Sequence, residues 1–195
     1  MTTDALITAV PAAELPLDDP RALAAVSLIW REAHLLDARR YAEWDLLWAP
    51  GGEYIVPIDR DTTDFAGRLN LVYDDERMRR MRVERLTGGF SISAAAAART
   101  VRSVSRFVVT AREEHAIELC SAQILVGYKR EETFVLAADV THRITYAADG
   151  TAGPDGTDRP DGAGGPGGPG APRIARKIVR LVNSEDTVTA SGFLL

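Results

Sequence analysis

The sequence predicts an α+β fold, in which a strongly curved antiparallel sheet wraps around a long N-terminal helix and forms a cone. Helical signals are confined to the first half of the chain, whereas from about residue 100 the hydrophobic period falls to two and stays there. The 195 residues, 46% of them apolar, are enough for one well-filled core. We therefore expect a single α+β domain over residues 20–195, preceded by a flexible arm over residues 1–19.

The long N-terminal helix is predicted to run without a break from Asp18 or Asp19 to about Trp48. Acidic residues precede Pro20, which is tolerated in the first turn because its missing N–H would be unpaired there. The sequence PGG at residues 50–52 ends the helical run. One side of the helix carries Asp37 among aromatic residues. These residues are Trp30, Tyr41, Trp44 and Trp48.

A second, thinner apolar line on the opposite side of the helix consists of Leu28, Leu35, Ala42 and Leu46. A helix with two apolar sides is covered on both. We therefore expect either a deep position in the domain or a partner subunit on the outer side. Leu28, Leu35 and Leu46 are accordingly candidate interface residues.

The elements after this helix are shorter at first and then long. The run EYIVPI at 53–58 predicts a strand, and residues 74–86 predict a second helix with acids in its first turn. Four runs of alternating hydrophobicity then predict a meander of antiparallel strands. The runs cover residues 101–111, 115–129, 133–146 and 173–183. Between the last two, the Gly- and Pro-rich residues 147–172 predict a mobile loop.

Composition excludes several functional classes. A net charge of −5 argues against nucleic-acid binding, which needs a concentrated basic surface. The single cysteine, Cys120, cannot form a disulfide within the chain, so a reducing compartment is expected. The first residues lack a basic segment before an apolar one, and no apolar run reaches membrane length. We expect a cytoplasmic protein that binds neither nucleic acid nor membranes.

Asp37 has two interpretations, because an unpaired carboxylate among aromatic rings has its ionised form disfavoured. Arg40 and Tyr41, three and four residues further on, would satisfy it locally, and Asp37, Arg40 and Tyr41 would then be a structural polar cluster of the helix. Alternatively, His34 lies one turn before Asp37 and would complete an acid–base pair.

Four segments, in this order and spacing, resemble the β (small) subunit of Rieske-type aromatic-ring-hydroxylating dioxygenases. They are EAHLLDARRYAEWDLLWAPGGEYIVP, NLVYDDERMRRMRVERL, RTVRSVSRFVV and IARKIVRLVN. The resemblance covers about residues 25–195. It departs from the family in the third long strand, where TFVLAADVTHRITY stands in place of a Gly-Arg-Tyr-like stretch.

The resemblance implies a cone of the nuclear-transport-factor-2-like (cystatin-like) kind and a non-catalytic, structural role in aromatic compound catabolism. It implies a larger α subunit as the partner in an α3β3 oxygenase. In that family the α subunit carries a Rieske 2Fe–2S cluster and a mononuclear non-haem iron. Electrons derived from NADH reach the complex through separate electron-transfer components.

The donor residues of the chain agree with an expected absence of metal, cofactor and catalytic residues in this subunit. A Rieske centre takes two cysteines and two histidines, and a mononuclear oxygenase iron takes two histidines and a carboxylate. The chain has one cysteine and three scattered histidines, His34, His115 and His142. We expect an exposed His115, and a His142 that forms part of the cone wall.

The alternative keeps the cone but makes it a stand-alone, cofactor-free cyclase, dehydratase or isomerase. Asp37 and His34 would be the base and its partner, with Tyr54 or Tyr41 as hydrogen-bond donors. A carboxylate in an aromatic pocket has a raised pKa and can take a proton from carbon.

Two further groups of residues are candidate interface positions. One group corresponds to the stretch that leads into the second helix in the family that the chain resembles. The other lies on one face of a predicted strand, where Arg side chains are suited to bind carboxylates of another subunit. The first group is Tyr73, Asp74, Asp75 and Arg77, and the second is Arg102 and Arg106.

Overall fold

The computed structural model describes residues 13–14, 19–88, 98–146, 170–185 and 194–195. These residues contain three helices, α1 (Pro20–Asp37), α2 (Tyr41–Asp45) and α3 (Glu76–Thr87). Their strands are β1 (Ala13–Glu14), β2 (Trp48–Pro57), β3 (Asn70–Asp74), β4 (Arg99–Arg112), β5 (Ala116–Lys129), β6 (Glu132–Tyr146) and β7 (Pro172–Leu181). The strands form one sheet in the order β1-β4-β5-β6-β7-β2-β3.

The predicted α+β cone is confirmed. The sheet curves around α1, which packs on β4, β5 and β7. Its neighbouring strands are antiparallel except for β2 and β7, which pair in parallel. The meander of β4 to β7 follows the four alternating runs of the sequence, because a strand with one face on the core buries every second residue.

The turn between β5 and β6 is the tightest connection of the meander. Lys129 pairs with Glu132, so only Arg130 and Glu131 form the loop. Both have positive φ angles, 53° and 67°. This backbone matches the twist of the two strands, although Gly or Asn is the usual residue at such positions.

The prediction of an unbroken first helix was wrong, because α1 ends at Asp37. Arg39 adopts a left-handed φ of 56°, and its N–H donates to the carbonyl of Leu36 at 3.1 Å. The N–H of Arg40 donates to the carbonyl of Leu35 at 2.8 Å. These two bonds form a Schellman motif, which ends helices and normally uses glycine at the left-handed position. The hydrophobic spacing continues through α2, so the sequence does not indicate the break.

The segments that flank the helices also differ from the predictions. Asp19 caps α1 and accepts a hydrogen bond from the N–H of Arg21 at 2.9 Å, as the acidic start predicts. Asp75 caps α3 through the N–H of Met78 at 2.7 Å, so that helix begins two residues later than predicted. The strand β3 before it was not predicted, because it is short and lies at the edge of the sheet.

The predicted flexible arm (1–19) and mobile loop (147–172) lie outside the described residues, apart from 13–14, 19 and 170–172. Within the described part of the arm, β1 pairs with β4 at the opposite edge of the sheet from β3. No helix in the described part of the chain is both long and apolar enough to span a bilayer.

Candidate functional site

A carboxylate on the buried face of α1, Glu32, is the centre of a polar network inside the cone. It accepts hydrogen bonds from the Trp44 indole N–H at 2.9 Å and from Lys177 Nζ at 3.0 Å. His142 Nε2 lies 2.9 Å from its other oxygen. Lys177 and His142 are a cross-strand pair of β7 and β6, so both project from the same face of the sheet. The side chains of all three charged or ionisable residues are at most 2% exposed.

The protonation of this network follows from its burial. Burial alone would raise the pKa of Glu32, but the Lys177 ammonium and the hydrogen bonds from His142 and Trp44 lower it well below its usual range. Burial lowers the pKa of His142, against the opposing effect of Glu32. Burial likewise lowers the pKa of Lys177, again opposed by Glu32. The consistent state is an ionised Glu32 paired with Lys177, beside a neutral His142.

A neutral His142 that donates from Nε2 to Glu32 has Nδ1 as a free acceptor. Nδ1 is buried and has no hydrogen-bond partner among the described residues. The imidazole is therefore held through one nitrogen alone, and its tautomer is set by Glu32.

Asp37, at the end of α1, connects the helix to β4. It accepts hydrogen bonds from the Thr100 hydroxyl at 2.8 Å and from the main-chain N–H of Arg102 at 2.7 Å. It also forms an ion pair with the guanidinium of Arg102, whose side chain is buried, while that of Asp37 is 20% exposed. Asp37 is thus satisfied by main-chain and side-chain groups of β4.

The local cluster of Asp37, Arg40 and Tyr41 predicted from the sequence does not form. Arg40 pairs with Glu43 on the surface of α2. Because the helix ends at Asp37, the residues three and four positions further on no longer lie above it on the same helix face. Tyr41 is buried nearby, and burial raises the pKa of its hydroxyl.

Leu194 and Leu195 contact both buried ion pairs, Asp37–Arg102 and Glu32–Lys177. The main-chain oxygen of Leu194 accepts a hydrogen bond from Arg102, and that of Leu195 accepts one from Lys177 Nζ at 2.9 Å. The Tyr54 hydroxyl lies 3.3 Å from the same Leu195 oxygen and accepts a hydrogen bond from the Leu195 N–H at 3.0 Å. Burial raises the pKa of Tyr54, which therefore stays protonated.

Aromatic rings pack beside this network. Trp44, Trp48 and Tyr54 meet edge to face, with ring centroids 5.4 to 6.2 Å apart. Arg79 lies over the Trp48 ring at 4.3 Å. Trp30 does not belong to this group, since it is 56% exposed and donates its indole N–H to the Val104 carbonyl at 3.3 Å. The interior at this level is thus occupied by Trp44 and Trp48 from the chain's own helix–strand junction.

The structure does not assemble the acid–base site of the alternative interpretation. His34 lies on the exposed side of α1, and Asp37 is committed to Thr100 and Arg102. Tyr54 is bound to the main chain of Leu195.

Glu32, Lys177 and His142 form the buried polar centre, and the sequence analysis did not single out the first two. A signal for Glu32 was present, because it lies four residues after Leu28 and three before Leu35, on the helix side taken as the outer one. That side faces the core, so Leu28 and Leu35 are buried within the chain and their assignment to an interface was wrong.

The Arg102 interface prediction was also wrong, whereas Arg106 is exposed. The register of β4 against β5 shifts between Ser105 and Val108, and Arg106 has a left-handed φ of 53°. This bulge changes which face later residues occupy. Arg102 consequently points into the cone, while Arg106 pairs with Asp139 on the surface.

The remaining interface candidates lie around β3 and α3. Asp74 is buried and pairs with Arg82, and Asp75 is the cap of α3. Arg77 is exposed, with Nη1 3.7 Å from the sulfur of Met81. Tyr73 is partly exposed, and Leu46 is 65% exposed.

Two apolar surfaces occur in the described part of the chain. The edge surface consists of Leu69, Leu71 and Tyr73 at and beside the edge strand β3, with Met78 and Met81 on α3. The sheet surface consists of Val101, Val126 and Val135, which form one cross-strand row of β4, β5 and β6, with Ile124 and Tyr128 beside them. Apolar patches of this kind mark interaction sites.

Metal donors do not gather in the described residues, where no three His, Cys, Asp or Glu side chains form a potential metal site. His142 is bound to Glu32, whereas His34 is exposed on α1 and His115 is exposed in the turn between β4 and β5.

Several solved structures share the fold at low identity. The β subunit of benzoate 1,2-dioxygenase from Burkholderia mallei is 16% identical, with a TM-score of 0.62, and the match covers 85% of this chain and 93% of that chain. A chain of naphthalene 1,2-dioxygenase with indole bound in the active site is 17% identical, with a TM-score of 0.62 and coverage of 88% and 82%. A candidate scytalone dehydratase from Novosphingobium aromaticivorans is 11% identical, with a TM-score of 0.57 and coverage of 88% and 91%.

The family comparison is more specific than the shared fold. No curated protein matches the chain. Residues 31–152 match the family described as ring hydroxylating beta subunit. Because this match covers more than half of the sequence, the chain belongs to the β subunit family of ring-hydroxylating dioxygenases.

Proposed function

We propose that this chain is the non-catalytic, structural β subunit of a cytoplasmic aromatic-ring-hydroxylating dioxygenase, which it assembles with α subunits as α3β3. The family match is the observation that carries the proposal. The interior of the cone supports it, because its polar side chains bind one another and the chain's own main chain. Glu32 is bound by Lys177, and Arg102 by Asp37.

The redox groups belong to the α subunit in this proposal. A Rieske 2Fe–2S cluster needs two cysteine and two histidine ligands, and this chain has a single cysteine. The donors for a mononuclear iron do not fit either, since the three histidines lie apart and His142 is already bound to Glu32. Electrons derived from NADH reach the partner's groups through separate electron-transfer components, and the aromatic substrate binds at the partner.

The edge surface is the proposed contact with another subunit. It combines exposed apolar side chains, Leu69 being 81% exposed, with the edge strand of the sheet, whose outer main-chain groups have no neighbouring strand in the described part of the chain. Tyr73 and Arg77, predicted as interface residues from the sequence, lie in the same region. The bidentate pair of Asp74 and Arg82 holds the end of β3 against α3.

Co-expression with candidate α subunits tests the proposal. Size-exclusion chromatography and iron analysis should give a hexamer that contains iron only when both chains are present. Leu71→Glu should abolish co-purification while leaving the Tm of the isolated chain unchanged, and Leu23→Glu, at an exposed leucine of α1, should not affect assembly. Turnover of an aromatic substrate by the purified single chain would contradict the non-catalytic role.

The stand-alone lyase or isomerase is a weaker second candidate. The fold match to a candidate dehydratase and the buried pair of Glu32 and His142 favour it. The predicted base, Asp37, is instead bound to Thr100 and Arg102, and His34 is exposed. The same purified chain decides the question, since this candidate requires turnover without metal and its loss in Glu32→Gln.

A further inference from the structure

We propose that the cone contains a binding site for a peptide segment, and that Leu194–Leu195 occupies it as an exchangeable ligand. This inference goes beyond the structural-subunit role, because it concerns what the interior of the cone can bind.

The receptor side chains come from three different strands and converge on two successive residues. Arg102 of β4 binds the main-chain oxygen of Leu194, and Lys177 of β7 binds that of Leu195 at 2.9 Å. Tyr54 of β2 accepts the Leu195 N–H at 3.0 Å. The bonds to the dipeptide therefore go to main-chain atoms, as when a binding site recognises an extended peptide.

The site is formed independently of its occupant. Arg102 is also held by Asp37, and Lys177 by Glu32. The Tyr54 ring packs against two tryptophans of the interior. If the dipeptide leaves, Arg102 and Lys177 keep these carboxylates and the Tyr54 ring keeps its packing, while the Tyr54 hydroxyl is freed to bind the next occupant. The receptor is therefore largely pre-organised, which lowers the ordering cost of binding.

The chemistry of the site favours a peptide with apolar side chains over a free anion. Each cation already faces a carboxylate, so the charges of Arg102 and Lys177 are balanced by Asp37 and Glu32. The side chains of the occupant are buried in the apolar core.

Two buried nitrogens beside the site add a second observation. Arg102 Nε and His142 Nδ1 have no hydrogen-bond partner among the described residues. Both belong to residues of the network that binds the dipeptide, directly or through Glu32. Because buried polar groups are normally hydrogen-bonded, these two nitrogens leave hydrogen-bonding capacity next to the dipeptide.

The main experiment uses the full chain with Leu194→Ser and Leu195→Ser, which removes the apolar side chains of the occupant. The probe is the acetylated hexapeptide ASGFLL, which has the sequence of residues 190–195. Calorimetry should show one peptide bound per chain of this variant and none bound to the unaltered chain. The control peptide ASGFSS should not bind.

The receptor is tested in the same background. Adding Tyr54→Phe should weaken peptide binding about tenfold, because it removes a buried hydrogen-bonding hydroxyl. Benzoate and inorganic phosphate serve as free-anion probes. A folded variant that binds these anions but not the peptide, or that binds nothing, would overturn the proposal.

A second measurement covers the case in which the serine variant does not fold. In the unaltered chain, the Leu195 amide should be protected from hydrogen exchange, and Tyr54→Phe should remove this protection. An amide that exchanges at the unprotected rate in the unaltered chain would exclude an occupied site. Size-exclusion chromatography distinguishes the two sources of the segment, since an occupant from a second copy gives a dimer and one from the same chain gives a monomer.

Discussion

Replacing Glu32 by glutamine tests whether the charge at the centre of the cone stabilises the fold. The change keeps the shape of the side chain but removes the carboxylate that pairs with the buried Lys177 ammonium. Breaking a buried ion pair from one side costs about 3–5 kcal/mol. We therefore expect the free energy of unfolding to fall by that amount and the Tm to fall by about 6–20 °C.

The assay is urea unfolding followed by circular dichroism, with an unchanged m value as the sign that only stability has changed. Glu43→Gln is the matched control, because Glu43 pairs with Arg40 on the surface and such pairs contribute about 0.2–1 kcal/mol. The reasoning is refuted if Glu32→Gln costs no more than this control.

The double variant Glu32→Gln/Lys177→Met separates two costs of Glu32→Gln: the loss of the ion pair and the burial of an unpaired Lys177 ammonium. Because it removes the uncompensated ammonium, it should be more stable than Glu32→Gln alone. The double-mutant cycle then gives the coupling energy of the pair. A double variant less stable than either single variant would show that packing, and not charge, decides the stability at this position.

Three further predictions concern the pH dependence and the C-terminal end of α1. Burial lowers the pKa of His142, so below pH 6.5 the unfolded chain takes up a proton at this residue and the folded chain does not. The free energy of unfolding should therefore drop by at most about 1.4 kcal/mol per pH unit between pH 6.5 and 5. His142→Gln should flatten this slope in urea unfolding and His115→Gln should not; equal slopes in both would contradict the assignment. Asp37→Asn should lower the free energy of unfolding by about 2–3 kcal/mol, since it leaves the buried Arg102 unpaired, and a loss as small as that of Glu43→Gln would count against it. Arg39→Gly should raise that free energy by about 0.5–1 kcal/mol, because glycine suits the left-handed position. Arg31→Gly, in the middle of α1, should lower it by about 1 kcal/mol. Calorimetry checks this pair, since the two variants should shift the Tm in opposite directions.

The meander of β4 to β7 could be predicted from the sequence because its signal is local. β4 to β7 alternate with a period of two over ten or more residues each, and the connections from β4 to β5 and from β5 to β6 are short. The cap at Asp19 was predictable for the same reason, since an acid before proline is a neighbouring pair in sequence.

The site could not be predicted in the same way, because it depends on where α1 ends. The break uses an arginine at a position where glycine is expected, so no local signal marks it. The prediction of a helix through residue 48 assigned Leu28 and Leu35 to the outer side. Glu32, which lies between them in sequence, was therefore not recognised as a core residue. Glu32 is bound by His142 and Lys177, which lie more than 100 residues further along the chain. These two residues are brought together by the pairing register of β6 and β7.

The parallel pairing of β2 with β7 sets the order in which this subunit can be made. Glu53 and Arg176, bonded across that pair, are 123 residues apart. A ribosome must therefore finish most of the polypeptide before β2 gains this neighbour, and until then the apolar Ile55 and Val56 lack their final cover. A subunit that docked before this point would present an incomplete sheet to its partner.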